Sequence, residues 1–318
     1  MEELKKALIV SDGKKGHLNQ SIAFCFYIDK EYDILEVKFK NKFFKLLSYM
    51  LDKVGLYTIL IFIQNEILKR VQNDSVCRPE PVSGSRVKYD LVVCAGSGTY
   101  YAAKTVAKKL GIKSISMMLP RGYKYDFDVI FAQTHDNPPR RSNIIEIPAN
   151  FSHIKPLGLY KPNKRSIGIV IGGNNSVFKM DAKRLKEQLD FIVSHYKDHK
   201  IAITTSPRTS IEIEELCKGY KFDYEVIYSE NPINPIPDFL ENCETIFITS
   251  DSTSMISEAI SYGKSNVVVL PLESTKTNKF QSFIASLEKD SYLHIFNGMI
   301  IHKNRKIDFA SYAKKAKL

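Results

Sequence analysis

Residues 246–272 read IFITSDSTSMISEAISYGKSNVVVLPL, and the changes of pattern within them decide the fold class. Ile246–Ile248 is an apolar strand, Thr249–Ser254 a hydroxyl-rich loop, Met255–Tyr262 a helix, and Val267–Leu270 a second buried strand. Gly263 stops the helix. Asp, Ser and Thr ahead of apolar helix positions are capping residues, because their oxygens accept the unpaired amide hydrogens of the first turn. A helix start is also an anion site, since its free N–H groups and the positive end of its dipole point the same way. Glu258 falls about one turn into the helix, still within reach of a ligand in front of it. Amides and hydroxyls for phosphate, with a carboxylate for ribose hydroxyls, describe a nucleotide-diphosphate pocket. An ordinary βα turn with a solvated Glu258 carries the same signature, so the stretch fixes the architecture before the function.

The strand–turn–helix rhythm extends to both sides. Upstream, strand Ser166–Ile171 enters GGNN (Gly172–Asn175), strand Lys200–Thr204 enters TSPR (Thr205–Arg208), and Tyr224–Ile227 is a further strand. In the first half, Ala7–Val10, Leu35–Phe39, Asp90–Ala95, Lys113–Met117 and Val129–Ala132 read as strands. A helix is expected from about Asn19 to Asp29, and another from the turn AGSGT to Gly111. This alternation predicts parallel α/β sheets, whose ligands bind beyond the carboxyl ends of the strands. The 318 residues suit two domains of roughly 150 residues each. The proline-rich stretch from about Asp136 to Arg165 marks the boundary, giving domains 1–155 and 156–318, with the final helix able to pack back on the first.

Asn41–Val71 is the most apolar long segment. Lys45, Asp52 and Lys53 interrupt it, and Val54–Ile63 falls far short of the ~18–20 residues a bilayer span requires. It reads as one or two core helices, or as an apolar surface, flanked by Lys42, Lys45, Lys53, Lys69 and Arg70, that rests on an anionic membrane. Asn73–Lys88, with its prolines, glycine and serines, is expected to be a loop. A net charge of +11 favours acidic partners, of which nucleic acid is the weakest: the lysines are dispersed and no recognised nucleic-acid motif occurs. Five cysteines without CxxC spacing read as free thiols, and no secretory signal is apparent, so a cytoplasmic protein is expected. The absence of HExxH, GxSxG, a Walker loop and a third glycine after AGSGT argues against those metal, hydrolase, P-loop and nicotinamide chemistries.

Candidate site residues cluster at the strand ends. GGNN, TSPR and SDSTSMISE end three strands of one sheet, so together they predict a phosphate-and-ribose cleft. In the first half, SDGKKGHLNQS places His17 where a short loop enters a helix, suited to act as a base or to cap the helix. Lys14 and Lys15 face solvent or meet a phosphate.

In order, SDGKKGHLNQS, CAGSGT, IGIVIGGNN, TTSPRTS, NPINPIPDFLENCETIFIT and SDSTSMISEAISYGKSNVVVLPL resemble the mitochondrial fission (elongated mitochondria) family over nearly the whole chain. That family in turn looks like GT-B glycosyltransferases. GKKGH resembles the GxGGH loop of the lipid II-forming UDP-N-acetylglucosamine transferase, and GGNNS its diphosphate loop. STSMISEA resembles its ribose-binding segment and that of UDP-N-acetylglucosamine 2-epimerases. GGNNS lacks the later glycine, and the sugar-reading residues are not recognisable. The resemblance implies an α/β protein of two Rossmann-like domains facing across a cleft. It implies transfer from a nucleotide diphosphate sugar, UDP-sugar favoured, to a cell-envelope, lipid-linked acceptor. No metal and no cofactor are expected. Gly172, Gly173, Asn174, Ser206, Arg208, Ser252, Ser254, Met255 and Glu258 would bind the donor. His17, with Asp12 as second candidate, would activate the acceptor, beside Lys14, Asn19, Gly96 and Ser97. A cytoplasmic protein peripheral on the inner membrane would follow. A membrane-associated scaffold recruiting a partner, or a sugar-nucleotide epimerase, are the competing classes.

Overall fold

Short runs of Ile and Val that are apolar on both faces form central parallel strands, since helices cover both sides of such sheets. The computed structural model describes residues 5–62, 89–274, 279–301 and 304–318. The chain divides into two compact units, Met1–His153 with Phe309–Leu318, and Ile154–Asp308.

The first unit contains strands β1 (Lys6–Ser11), β2 (Tyr32–Glu36), β3 (Tyr89–Cys94), β4 (Lys113–Ser116), β5 (Val129–Gln133) and β6 (Ile144–Ile147). They form one parallel sheet in the order β2-β1-β3-β4-β5-β6. Helices α1 (Lys15–Tyr27), α2 (Lys42–Val54) and α3 (Tyr100–Leu110) belong to the same unit. On one side Phe24, Phe131 and Phe151 pack together, and the stacked ring of Phe309 ties the terminal helix to Phe151 at 4.6 Å. On the other, Leu8, Val10, Val92, Tyr101 and Val106 form a second core layer.

The second unit contains β7 (Ser166–Val170), β8 (Phe178–Lys179), β9 (Lys200–Thr204), β10 (Tyr224–Val226), β11 (Thr245–Thr249), β12 (Asn266–Leu270), β13 (Glu273–Ser274) and β14 (His294–Ile295). Its helices are α4 (Ala182–His195), α5 (Ile211–Lys218), α6 (Ile236–Asn242), α7 (Thr253–Ser261) and α8 (Lys279–Lys289), and α9 (Phe309–Lys314) returns to the first unit. The main sheet is parallel, in the order β10-β9-β7-β11-β12-β14, while β8 and β13 form a small antiparallel pair. Counted from β7, this is the doubly wound order 3-2-1-4-5-6.

Several local expectations shift. The first helix begins at Lys15, not Asn19, so His17 and Asn19 lie inside its first turns. The second strand is Tyr32–Glu36, displaced toward the N-terminus from Leu35–Phe39. The stretch expected to be loop between Asp136 and Arg165 contains β6, and β14 is a further edge strand too short for a periodic signal. In its described part Asn41–Val71 is a core helix on one side only: Phe44, Leu47, Tyr49 and Leu51 of α2 pack partly buried on the core, and Ile59, Ile61 and Phe62 join it, while the fully buried residues of α2 are Ser48 and Asp52. The remainder of that segment, including Lys69 and Arg70, and the Asn73–Lys88 loop lie outside the described residues. Cys25, Cys94, Cys217 and Cys243 are buried free thiols, each pushed up to about 12 by burial, hence inert neutral side chains. Among the described residues no helix is long and apolar enough to cross a membrane.

Candidate functional site

In each sheet the strand order reverses at one point, between β1 and β3 in the first and between β7 and β11 in the second. Loops leave such a point in opposite directions and open a crevice at the carboxyl ends of the strands. The sequence-predicted residues fall at these two points.

In the first unit the loop after β1 brings Asp12 and His17 together. Nδ1 of His17 lies 3.0 Å from Oδ1 and 3.2 Å from Oδ2 of Asp12. A carboxylate accepts, so this contact places the ring proton on Nδ1 and leaves the Nε2 lone pair available. Nε2 has no hydrogen-bond partner among the described residues. Lys14 is exposed and stands 3.5 Å from Asp12, and Asn19 faces solvent further along α1. The turn after β3 closes on the pair from the neighbouring strand. A Cβ at Gly96, where φ is +88°, would lie 2.3 Å from the His17 ring, and one at Gly98 would lie 2.9 Å from Asp12. The glycines of AGSGT therefore make room for the His17–Asp12 pair. Ser97 accepts a 3.2 Å hydrogen bond from Lys45 on α2. Asp12, expected as a second candidate beside His17, is bonded to the His17 ring.

In the second unit the three loops GGNN, TSPR and SDSTS meet at adjacent strands, with Asp251 at their centre. Its side chain is fully buried; Oδ2 accepts from the Gly173 amide at 3.1 Å and from the Arg208 guanidinium at 2.7 Å, and Oδ1 accepts from Thr249 at 2.7 Å. Burial raises the Asp251 carboxyl, while Thr249, Gly173 and Arg208 pull it back down. Thr249 in turn accepts from the Gly172 amide, and Thr209 donates to the Gly172 carbonyl. A Cβ at Gly172 would lie 2.0 Å from Asp251, and one at Gly173 would lie 1.9 Å from the Arg208 carbonyl. The two glycines thus allow loop-on-loop packing, where the sequence suggested only close approach to a ligand.

Other donor-side residues are partly engaged within their own loops. Asn174 accepts from the Met180 amide, and the Asn175 side-chain amide donates to the Asp251 carbonyl. Ser206 accepts from the Arg208 amide. Ser252 caps α7 by accepting from Met255 at 3.4 Å, so that the Met255 amide is not free. Ser254 is exposed. Arg208 has a 43 % exposed side chain, and its donors beyond the Asp251 bond have no partner among the described residues. Glu258 is half-buried, its carboxyl has no hydrogen bond or ion pair among those residues, and burial alone raises that carboxyl from 4.5 to about 7. An unpartnered, largely buried acid, here the sixth of the nine residues of α7, is a feature that folding alone does not call for. Asp251 was foreseen only as a capping residue, although its place between two strand-end hydroxyls was a usable signal. Among the described residues no group of three or more His, Cys, Asp and Glu could hold a metal ion.

The mitochondrial fission ELM1 family matches residues 15–316. An uncharacterized protein of Rickettsia prowazekii is 24 % identical over 92 % of this chain and 90 % of its own length. Among solved structures, a UDP-glucosyltransferase from Polygonum tinctorium has a TM-score of 0.52 at 10 % identity, covering 98 % of this chain and 88 % of that one. A putative UDP-N-acetylglucosamine 2-epimerase from Listeria monocytogenes has a TM-score of 0.51 at 11 % identity, with the same coverage of each chain. At these identities the likeness is one of fold, and the fold is GT-B-like.

Proposed function

The chain belongs to the mitochondrial fission ELM1 family, and on that premise we propose that it transfers a sugar from a nucleotide diphosphate sugar, UDP-sugar favoured, to a hydroxyl of a lipid-linked cell-envelope acceptor. The observation that carries the proposal is the Asp12–His17 pair, oriented through Nδ1 with Nε2 left without a partner. A base held in one tautomer by a carboxylate, at the mouth of a switch point, suits removal of a proton from an acceptor hydroxyl. The first unit is the acceptor side in this reading and the second the donor side.

In the transfer step, His17 Nε2 takes the hydroxyl proton as the acceptor oxygen bonds to the anomeric carbon. The bond from that carbon to the diphosphate oxygen breaks, and its electron pair leaves with the nucleotide. Asp12 stabilises the imidazolium that forms. The free donors of Arg208 and the exposed Ser254 hydroxyl at the start of α7 meet the developing charge on the diphosphate, where oriented donors act with least reorganisation. Glu258, once ionised, accepts from the ribose hydroxyls. The second-unit loops are already bonded to one another, so the donor site is a rigid rim with few free groups. UDP is favoured by the kinds of protein that share the fold.

The test is incubation of the full chain with labelled UDP-sugars and an envelope lipid extract, followed by separation of products. Label entering the lipid phase, and not with His17→Ala, is the expected result. An epimerised nucleotide sugar without transfer would reassign the chain to epimerase chemistry. Unchanged substrate in all mixtures would leave the scaffold reading.

A further inference from the structure

α2 is apolar on two sides. Its inward side packs Phe44, Leu47 and Leu51 on the core and buries Ser48, bonded to the Tyr123 hydroxyl at 2.8 Å, and Asp52, which accepts from Lys104 at 2.8 Å, the Lys124 amide at 2.6 Å and Tyr57 at 3.0 Å. Its outward face carries Phe43, Leu46, Met50 and Val54, exposed at 66, 64, 64 and 68 %. Positions 43, 46, 50 and 54 fall on one stripe of a helix with 3.6 residues per turn. Leu56 and Leu60, also exposed, follow directly beyond Gly55. With its inward side held by that packing and by the Asp52 bonds, α2 keeps a second apolar ridge out of the core. Large side chains in such a ridge forgo the gain of burial, a loss that a partner surface would recover.

The surrounding charge says which surface. Lys38, Lys40, Lys42 and Lys53 are exposed around the ridge. Between Lys38 and Val54 the only acid is Asp52, and it is buried against Lys104. An apolar ridge with a basic margin fits an anionic lipid surface, into which the side chains sink while the ammonium groups stay among the headgroups.

We infer that the outward face of α2 docks the protein on an anionic bilayer, with Phe43, Leu46, Met50 and Val54 inserted at the interface. Lys45, in the same helix, donates to Ser97 of the turn that packs on His17, so docking brings the β1–β3 strand ends close to the lipid. The docking surface stands without the transfer reading, and this placement is what links the two.

The experiment is flotation of the full chain with vesicles of phosphatidylcholine alone, and of phosphatidylcholine and phosphatidylglycerol in equal parts. Neither nucleotide nor acceptor is present, so failure here is distinct from failure of sugar transfer. Wild type is expected to float with the anionic vesicles and to stay behind with the neutral ones. Lys42→Ala with Lys53→Ala should weaken binding by about thirtyfold, at about 1 kcal/mol for each lysine near the surface. Leu46→Ser with Met50→Ser should abolish flotation, and an unchanged thermal midpoint shows that the fold survives. Absence of flotation in the wild type, or equal flotation with both vesicles, would overturn the inference. So would a concentration-dependent dimer that Leu46→Ser with Met50→Ser dissolves, since the ridge would then meet a second copy of the chain.

Discussion

At the end of β1, Asp12 holds His17 through Nδ1 and leaves the other ring nitrogen without a partner; at the end of β11, Asp251 binds Gly173, Thr249 and Arg208 and has no exposed surface left. Both are carboxylates just beyond a strand at a point where strand order reverses. The first keeps 11 % of its side chain exposed and bonds to one ring; the second is buried and ties three loops together. A similar sequence feature therefore gives a pair with one unpartnered ring nitrogen in one unit and a structural clasp in the other. In the second unit the groups outside the clasp that lack a partner are the Glu258 carboxyl and the outer donors of Arg208, with Ser254 exposed.

Under the transfer reading, the largest effect that sharpens this contrast is on turnover. His17→Ala should lower transfer by about a hundredfold to ten-thousandfold, the usual worth of a positioned base, while nucleotide affinity stays the same. Asp12→Asn should cost up to about ten-thousandfold through the wrong tautomer, with little change in stability. Labelled-product assays and urea unfolding of the same proteins give both numbers.

Asp251→Ala should behave in the opposite way. Removing the buried carboxylate leaves the Gly173 amide, Thr249 and Arg208 without their partner, at a cost of about 3 kcal/mol in unfolding free energy. Equal stability losses for Asp12→Asn and Asp251→Ala would break the comparison.

Glu258 gives a pH-dependent effect of similar or smaller size. Its carboxyl is raised to about 7 in the folded chain from 4.5, so across that window the folded state keeps a proton that the unfolded state has released. Stability attributable to Glu258 should therefore fall as pH rises from about 4.5 to about 7 and then level off. Glu258→Gln removes this titration and should stabilise the chain above pH 7 by about 2–3 kcal/mol, with the gain fading toward pH 4.5. Urea unfolding at several pH values checks the sign. The smallest effect belongs to Lys14→Ala: an exposed cation 3.5 Å from Asp12 should change stability by less than about 1 kcal/mol.

The contrast also marks what could be read from the sequence. Strand-forming runs such as Lys200–Thr204 and Asn266–Leu270 announce themselves locally, and hydroxyls and glycines after them mark strand ends. The candidate residues could accordingly be placed on the right edges. Which of them would be free could not, because that depends on pairings across long stretches of chain. Gly172 meets Thr249, and Arg208 meets Asp251, only when the sheet has formed. The division of α2 has the same origin: Phe44, Leu47 and Leu51 pack on the core as its apolar residues suggest, but the buried Asp52–Lys104 pair fixes the rotation that leaves Phe43, Leu46, Met50 and Val54 outside. β14 and β6 were invisible because two or four residues on a sheet edge carry too little pattern. The Asp12–His17 contact is the one relation that five-residue spacing already allowed.

The central claim is that the second unit holds a nucleotide diphosphate sugar with Glu258 as its free acid. Isothermal titration of UDP, GDP, ADP and CMP, and of their sugars, into the full chain and Glu258→Ala at pH 8 tests it most directly. The account predicts saturable binding of a uridine nucleotide that falls at least about tenfold in the variant, the loss expected for a charged hydrogen bond. No heat of binding from any nucleotide at millimolar concentration, or equal affinity in the two proteins, would contradict it.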